Sequence, residues 1–263
     1  MSFLKWTDYV VKTPSVGGLT HLFAVLFTLF LSLIASKTAK KVTNKKADMI
    51  VLLYGLFILV LEIYKQLYMT YILNDGIYGW SYFPYQFCSV PMYVALICPF
   101  IKNEKVKTAG YTFIATYGLL AGGLVICVPL VVFTNRLSLN IHTILWHSMQ
   151  VVIGIFIGNQ RRIGSDYKML IRGIMVFLIV VVVALISNIV AYPILNPKGV
   201  KFSALTFSPY YQTTFLVFDE IQAKTNWFFT YILYILSFSL GAYLIWLIFK
   251  GKYHSSQKLK KIK

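Results

Sequence analysis

Apolar residues run along this chain in blocks too long and too uniform to form one face of a helix in water, and polar residues gather in short breaks between them. Seven stretches approach or exceed the roughly 17 to 25 residues a helix needs to cross hydrocarbon. They cover about 18–35, 49–69, 84–101, 108–130, 142–159, 170–192 and 227–249. Backbone groups in lipid must be satisfied within their own segment, so the pattern predicts an all-α, seven-transmembrane-helix bundle that forms a single domain over 1–263. Short loops predict antiparallel neighbours. The exception is the stretch from Pro193 to Asn226, where Pro193, Pro197, Gly199 and Pro209 precede the aromatic residues Tyr210, Tyr211, Phe215 and Phe218. That composition suggests a cap or an interfacial helix.

Composition agrees with a membrane protein: 58% of residues are apolar and 13% charged. The first stretch has no basic leader and no small-residue cleavage site, which predicts a retained span rather than a signal peptide. The 25 Lys and Arg fall unevenly about the spans. Eighteen lie in the loops around 37–46, 102–107 and 161–172 and in the tail from Lys250, six lie in the opposite loops, and Lys65 lies within a span. Basic loops resist translocation, so the N-terminus is expected outside and the C-terminus in the cytoplasm of a multi-pass cell-membrane protein. A net charge of +17 would also suit nucleic acid. No recognition motif surrounds these residues, and topology and anionic lipid account for them, so no nucleic-acid partner is expected.

Three cysteines, Cys88, Cys98 and Cys127, give no Cys-x-x-Cys and no metal-finger spacing, so neither a disulfide framework nor a metal site is expected. Ionisable groups inside spans are costly and mark candidate sites. With the span limits above, Lys65 lies about 6 Å, Glu62 about 10 Å, Cys88 about 6 Å and His147 about 7 Å below the outer ends of their helices. Asn188 and His21 fall in the same outer third. Glu62 and Lys65, three apart on one helix, could also neutralise each other, and His142 reads as an interfacial residue.

A thiol and an imidazole at one depth suggest nucleophilic catalysis. The histidine takes the thiol proton, the thiolate attacks a lipid ester, and the acyl-cysteine passes its chain to an acceptor without a cofactor. Lys65 would favour the thiolate or hold a lipid phosphate. Gln86, Ser89 and Asn188 are candidate oxyanion donors, and Glu62 or Asp219 could orient His147.

The segment Phe83-Pro-Tyr-Gln-Phe-Cys-Ser-Val-Pro-Met92 resembles the Leu-Pro-x-x-x-Cys-Ser block of YwaF-like bacterial membrane proteins, and Trp146-His-Ser148 resembles their Ser-His-Gly block. Order, spacing and seven-span layout agree over most of the chain. Gln86 stands where many members carry histidine, and the stretch after Asn188 offers Tyr192 and Asn196 in place of Asn-Tyr-Met-Tyr. The family includes the animal transmembrane protein 164, a cysteine-dependent acyltransferase. The resemblance implies an acyl-accepting role for Cys88, a histidine role for His147, and phospholipids as donor and acceptor.

A hydrolase would differ only in using water as acceptor. The reading of another class is a transporter or solute-binding subunit, with Glu62, Lys65 and Asn188 as ligands of a small solute. Gly122-Gly123 and Pro129 would loosen its fourth span. A third is a packing or assembly protein in which Cys88 is only a small contact residue.

Overall fold

The computed structural model describes residues 2–130, 132–215 and 217–262, with side chains through 255. A short N-terminal helix, α1 (Ser2–Trp6), precedes α2 (Leu19–Ala39) and α3 (Asn44–Tyr68), and α3 runs on through a π-helical turn to Leu73. The short α4 (Val90–Ile97) ends in a 3₁₀ turn, Cys98–Phe100. Next, α5 (Glu104–Phe113) passes through a π turn, Ile114–Gly118, into α6 (Leu119–Cys127). The remaining helices are α7 (Leu137–Gln160), α8 (Tyr167–Leu195), α9 (Val217–Lys224) and α10 (Trp227–Ile262). No strand forms among the described residues; a lone bridge pairs Val10 with Arg136.

Six helical stretches are long and apolar enough to cross a membrane: Leu19–Ala39, Asn44–Leu73, Glu104–Cys127, Leu137–Gln160, Tyr167–Lys198 and Trp227–Ser255. Leu22, Phe23, Leu26 and Phe30 on α2, and Ile179, Val182, Ile186 and Val190 on α8, turn outward with nothing in the protein to cover them. Lipid is the solvent that makes such a surface stable, so the chain is a multi-pass membrane protein.

Salt bridges identify the two ends of the bundle. At the basic end Asp48 accepts from Lys107, Arg161 and Tyr111, which joins the starts of α3 and α5 to the end of α7. Helix caps gather there too. Thr43 caps α3, Asn103 caps α5 and Asp166 caps α8, each side-chain oxygen accepting from a first-turn backbone N–H. At the opposite end Asp8 accepts from Tyr68 and Arg136, tying the N-terminal segment to α3 and α7.

The third apolar stretch differs from its expected form. Residues 84–89 are not helical, and the apolar helix Val90–Phe100 covers only 11 residues. At about 1.5 Å per residue that is about half of the hydrocarbon thickness. Because α3 and α5 both start at the basic end, the chain between Leu73 and Glu104 must still return through the bundle, and its first half does so as irregular backbone. Pro84 and Pro91 explain the shape, since neither can donate to a preceding helical turn.

Glu104–Cys127 and Leu137–Gln160 are each 67% buried over their apolar windows, against 22–33% for the other four, so they form the centre of the bundle. One core cluster joins α3, α4 and α7 through Ile58, Met92, Trp146 and Ile153. A second is aromatic and joins Phe113, Tyr117, Phe177, Tyr234 and Phe238. Phe87, from the irregular segment, inserts into it with its ring centroid 4.3 Å from that of Phe238.

Candidate functional site

Non-helical backbone at this depth needs partners other than water. Residues 84–89 find them in a second irregular segment, 202–207, which follows α8. The Leu205 N–H donates to the Tyr85 carbonyl at 2.8 Å, and Gln86 Nε2 donates to the Ser203 carbonyl at 3.0 Å. Asn188 on α8 fixes the second segment from beneath. Its Oδ1 accepts from Ala204 N at 2.7 Å, and its Nδ2 donates to the carbonyls of Ala204 and Phe207. Leu205 is fully buried at φ 55° and Thr206 sits at φ 62°, the left-handed region that β-branched and bulky residues avoid. These hydrogen bonds over-determine that strained turn. The expected cap between Pro193 and Asn226 is therefore partly an insertion into the bundle.

Cys88 lies on the first irregular segment and is partly exposed, whereas Cys98 is buried. Its carbonyl accepts from the Trp146 indole N–H at 3.2 Å. Lys65 Nζ stands 5.7 Å from the centroid of a Trp146 ring. The ammonium lies 2.8 and 2.9 Å from the two Glu62 oxygens, so it is engaged in an ion pair rather than extended to the headgroups. Gln66 Nε2 donates to Glu62 Oε1 and to the Tyr82 carbonyl, both at 2.6 Å, and so fastens the loop before Cys88 to α3.

His147 is buried. Its Nδ1 lies 2.8 Å from the Thr143 carbonyl, a contact that needs the proton on Nδ1 and leaves Nε2 as a lone pair. That Nε2 has no hydrogen-bond partner. No hydrogen bond joins His147 to Cys88 among the described residues; Trp146, the preceding residue, makes the contact instead. Since α7 begins at Leu137, His147 lies ten residues from its end, about 15 Å along the axis, about twice the depth its expected span boundary gave. Near His147, α6 packs so close that a Cβ on Gly122 would stand 2.8 Å from the His147 carbonyl.

Three further side chains join the site. His142, expected at the interface, is buried and stacks on Trp146 with ring centroids 5.3 Å apart. Its Nε2 also lacks a partner. The i, i+4 spacing of His142 and Trp146 was the available signal. The Tyr234 hydroxyl on α10 is buried, unpartnered and within electrostatic reach of Cys88, and nothing in its apolar surroundings in the sequence marked it. Gln150, one turn beyond His147, is fully buried with both amide atoms unpartnered.

Of the remaining expected residues, Ser89 is buried just before α4 and forms no capping bond there. Gln86 keeps a buried, unpartnered Oε1. His21 accepts from Gly17 N at Nδ1 and bonds the Ile126 carbonyl through Nε2, both at 2.9 Å, which closes α2 against α6. Asp219 pairs with Gln212 on the exposed surface. Among the described residues no group of His, Cys, Asp and Glu could hold a metal ion.

A groove of about 310 Å³ runs beside the site between α3 and α7, lined chiefly by Leu61, Tyr64, Leu137, Ile141, His142 and Leu145. Its walls are apolar and its mouth is wide, Trp6, Thr7 and Tyr9 of the N-terminal segment complete it, and His142 is the member of the site that lines it. Comparisons of the chain with protein-family models, with curated proteins and with solved structures return no match.

Proposed function

We propose that this protein is a cysteine-dependent acyltransferase of the membrane, moving acyl chains between glycerophospholipids, with seven passes, its N-terminus outside and its basic end in the cytoplasm. The observation that carries the proposal is the tether between Trp146 and Cys88. It holds the backbone of Cys88, a partly exposed residue, against a tryptophan near two histidines with unpartnered nitrogens, one of which, His142, lines an open apolar groove. The resemblance to YwaF-like proteins at Cys88 and at Trp146-His-Ser148 supports the same assignment.

In this mechanism the Nε2 lone pair of His147 takes the Cys88 proton. The thiolate sulfur bonds to the ester carbonyl carbon of the donor, and the ester C–O bond breaks. The departing lysolipid oxygen receives the proton from the imidazolium. In the second half-reaction the hydroxyl of another lysolipid loses its proton to Nε2, its oxygen attacks the thioester, and the proton returns to the cysteine sulfur. Tyr234 donates its free hydroxyl proton as a hydrogen bond to the oxyanion in both steps. Catalytic hydrogen bonds are often loose before substrate binds, so the Cys88–His147 contact forms as the acyl chain fills the groove. Lys65, paired with Glu62, supplies positive charge near the thiolate.

The test is intact mass spectrometry of the purified protein after incubation with mixed phospholipids. Wild type is expected to carry an acyl-sized, hydroxylamine-sensitive adduct, absent in Cys88→Ala and strongly reduced in His147→Ala. Full acyl transfer by Cys88→Ala overturns the mechanism.

A second reading has a specific observation in its favour. The two irregular segments and the π turn at Ile114–Gly118 interrupt the bundle near buried, unpartnered Gln150 and His147, as discontinuous helices do around a solute in transporters. Liposome uptake of a small polar solute without lipid turnover selects this reading.

A further inference from the structure

A separate cavity lies away from Cys88. It lies at the basic end and has a volume of about 520 Å³, within the range of small-molecule sites. The end of α2, the end of α7 and the far part of α10 line it. Three cations line it, Lys40, Arg162 and Lys252, together with the amide side chains of Asn44 and Asn159. No Asp or Glu does. Among the described residues none of the three cations pairs with a carboxylate. Lys40 and Lys252 stand near enough to repel each other, with Lys252 held by a 2.8 Å hydrogen bond to Ser36.

The inner wall is apolar. The Phe249 ring lies against Gly158, where any side chain would collide with it, and Ala39 and Val42 continue the wall. Arg162 follows α7 at φ 52°, so the backbone itself adopts an unfavourable conformation to turn this residue off the helix. Lys40, Arg162 and Lys252 are exposed at the mouth of an open, partly apolar cavity, and like charges gathered there without an internal counter-charge attract an anion from outside. Guanidinium, ammonium and amide donors together match phosphate oxygens.

We propose that this cavity binds a phosphate group, supplied either by an anionic phospholipid headgroup of the leaflet at the basic end or by a soluble phosphate ester. The site is separate from Cys88 and independent of the acyl-transfer reading. Binding there clamps α2, α7 and α10 at one end of the bundle, since each contributes one of the cations or its immediate neighbour.

The test uses delipidated full-length protein in zwitterionic detergent, titrated with short-chain phosphatidylglycerol, with short-chain phosphatidylcholine and with inorganic phosphate. Native mass spectrometry reads stoichiometry and thermal unfolding reads affinity. One phosphatidylglycerol is expected to bind, with phosphatidylcholine much weaker. The combined variant Lys40→Gln, Arg162→Asn, Lys252→Gln is expected to weaken it at least about tenfold, since charge-assisted hydrogen bonds are lost. Asparagine at 162 removes the charge while tolerating positive φ. Lys40→Gln alone, which breaks no internal bond, gives a smaller loss of the same sign should the combined variant fail to fold. Lys224→Gln, outside the cavity, is expected to bind as wild type. Inorganic phosphate that displaces the lipid at low millimolar concentration assigns the site to soluble phosphate esters, and lipid binding indifferent to phosphate assigns it to the headgroup. Wild type that binds neither probe, or charge variants that bind as tightly as wild type, overturn the proposal.

Discussion

The indole N–H of Trp146 donates to the carbonyl of Cys88 at 3.2 Å, joining a continuous central helix to a segment that is not helical. The relationship fixes the backbone of Cys88, while its thiol meets the side chain of the next residue, Ser89. His142 stacks on the same ring and Lys65 stands near it, so Trp146 is the common neighbour of three polar residues that do not bond one another.

Trp146→Phe keeps the aromatic body and removes the donor. Loss of one partly buried hydrogen bond costs about 1 kcal/mol, with the Cys88 carbonyl left to find another donor. Thermal unfolding is expected to show that modest loss. The rate of Cys88 alkylation by a membrane-permeant maleimide is expected to change severalfold, measured with the exposed Cys127 and the buried Cys98 both replaced by alanine. An unchanged rate means that the tether does not position the thiol.

Asn188 spends its whole side chain on the 202–207 turn, donating twice and accepting once. Asn188→Leu leaves the Ala204 N–H and the Phe207 carbonyl unsatisfied, while the Ala204 carbonyl keeps the Phe207 N–H, and each unsatisfied group costs about 1–3 kcal/mol. A loss of several kcal/mol is expected, concentrated in the two irregular segments. Hydrogen exchange checks it: amides of 84–89 and 203–207 become exposed well before those of α7. The Asn188 amide is committed to that turn, so the proposed mechanism gives the oxyanion role considered from the sequence to Tyr234.

Long apolar blocks made the helical membrane fold readable, because nothing but lipid stabilises surfaces such as those of α2 and α8. Proline at 84 and 91 was a visible signal that the third stretch is only partly helical. Apolar composition concealed it, since buried irregular backbone and buried helix have the same hydropathy. The sequence singles out the polar residues by type but does not give their partners. Glu62 and Lys65 do pair, as three-residue spacing allows. The neighbours of Cys88 are a matter of tertiary packing, because one position along α7 turns a side chain by about 100° and decides whether Trp146 or His147 meets the loop. The Asp48 network carried no local signal, since Asp48, the Lys107–Tyr111 turn of α5 and Arg161 lie far apart in sequence.

Asp48 is the single carboxylate receiving Lys107, Arg161 and the Tyr111 hydroxyl, while the more distant Glu104 assists both cations from the surface. Asp48→Asn leaves two nearly buried cations with only that exposed partner. Breaking such a pair costs about 3–5 kcal/mol. A marked drop in thermal stability is expected. Asp48→Asn combined with Lys107→Met is expected to recover part of it, which measures the cost of the stranded charge rather than the value of the pair.

Tyr234→Phe separates catalysis from stability. The Tyr234 hydroxyl is buried without a partner, so its removal relieves an unsatisfied polar group and is expected to leave stability unchanged or raised by about 1 kcal/mol. Loss of an oxyanion donor costs about 10²–10³ in turnover. The expected combination is therefore a protein at least as stable as wild type that forms the acyl-cysteine and transfers the chain far more slowly, while maleimide still labels Cys88 at the wild-type rate. A merely structural tyrosine gives the reverse: altered unfolding and thiol access with acyl transfer preserved. Measured side by side on one preparation, the three readouts distinguish an oxyanion donor from a packing residue.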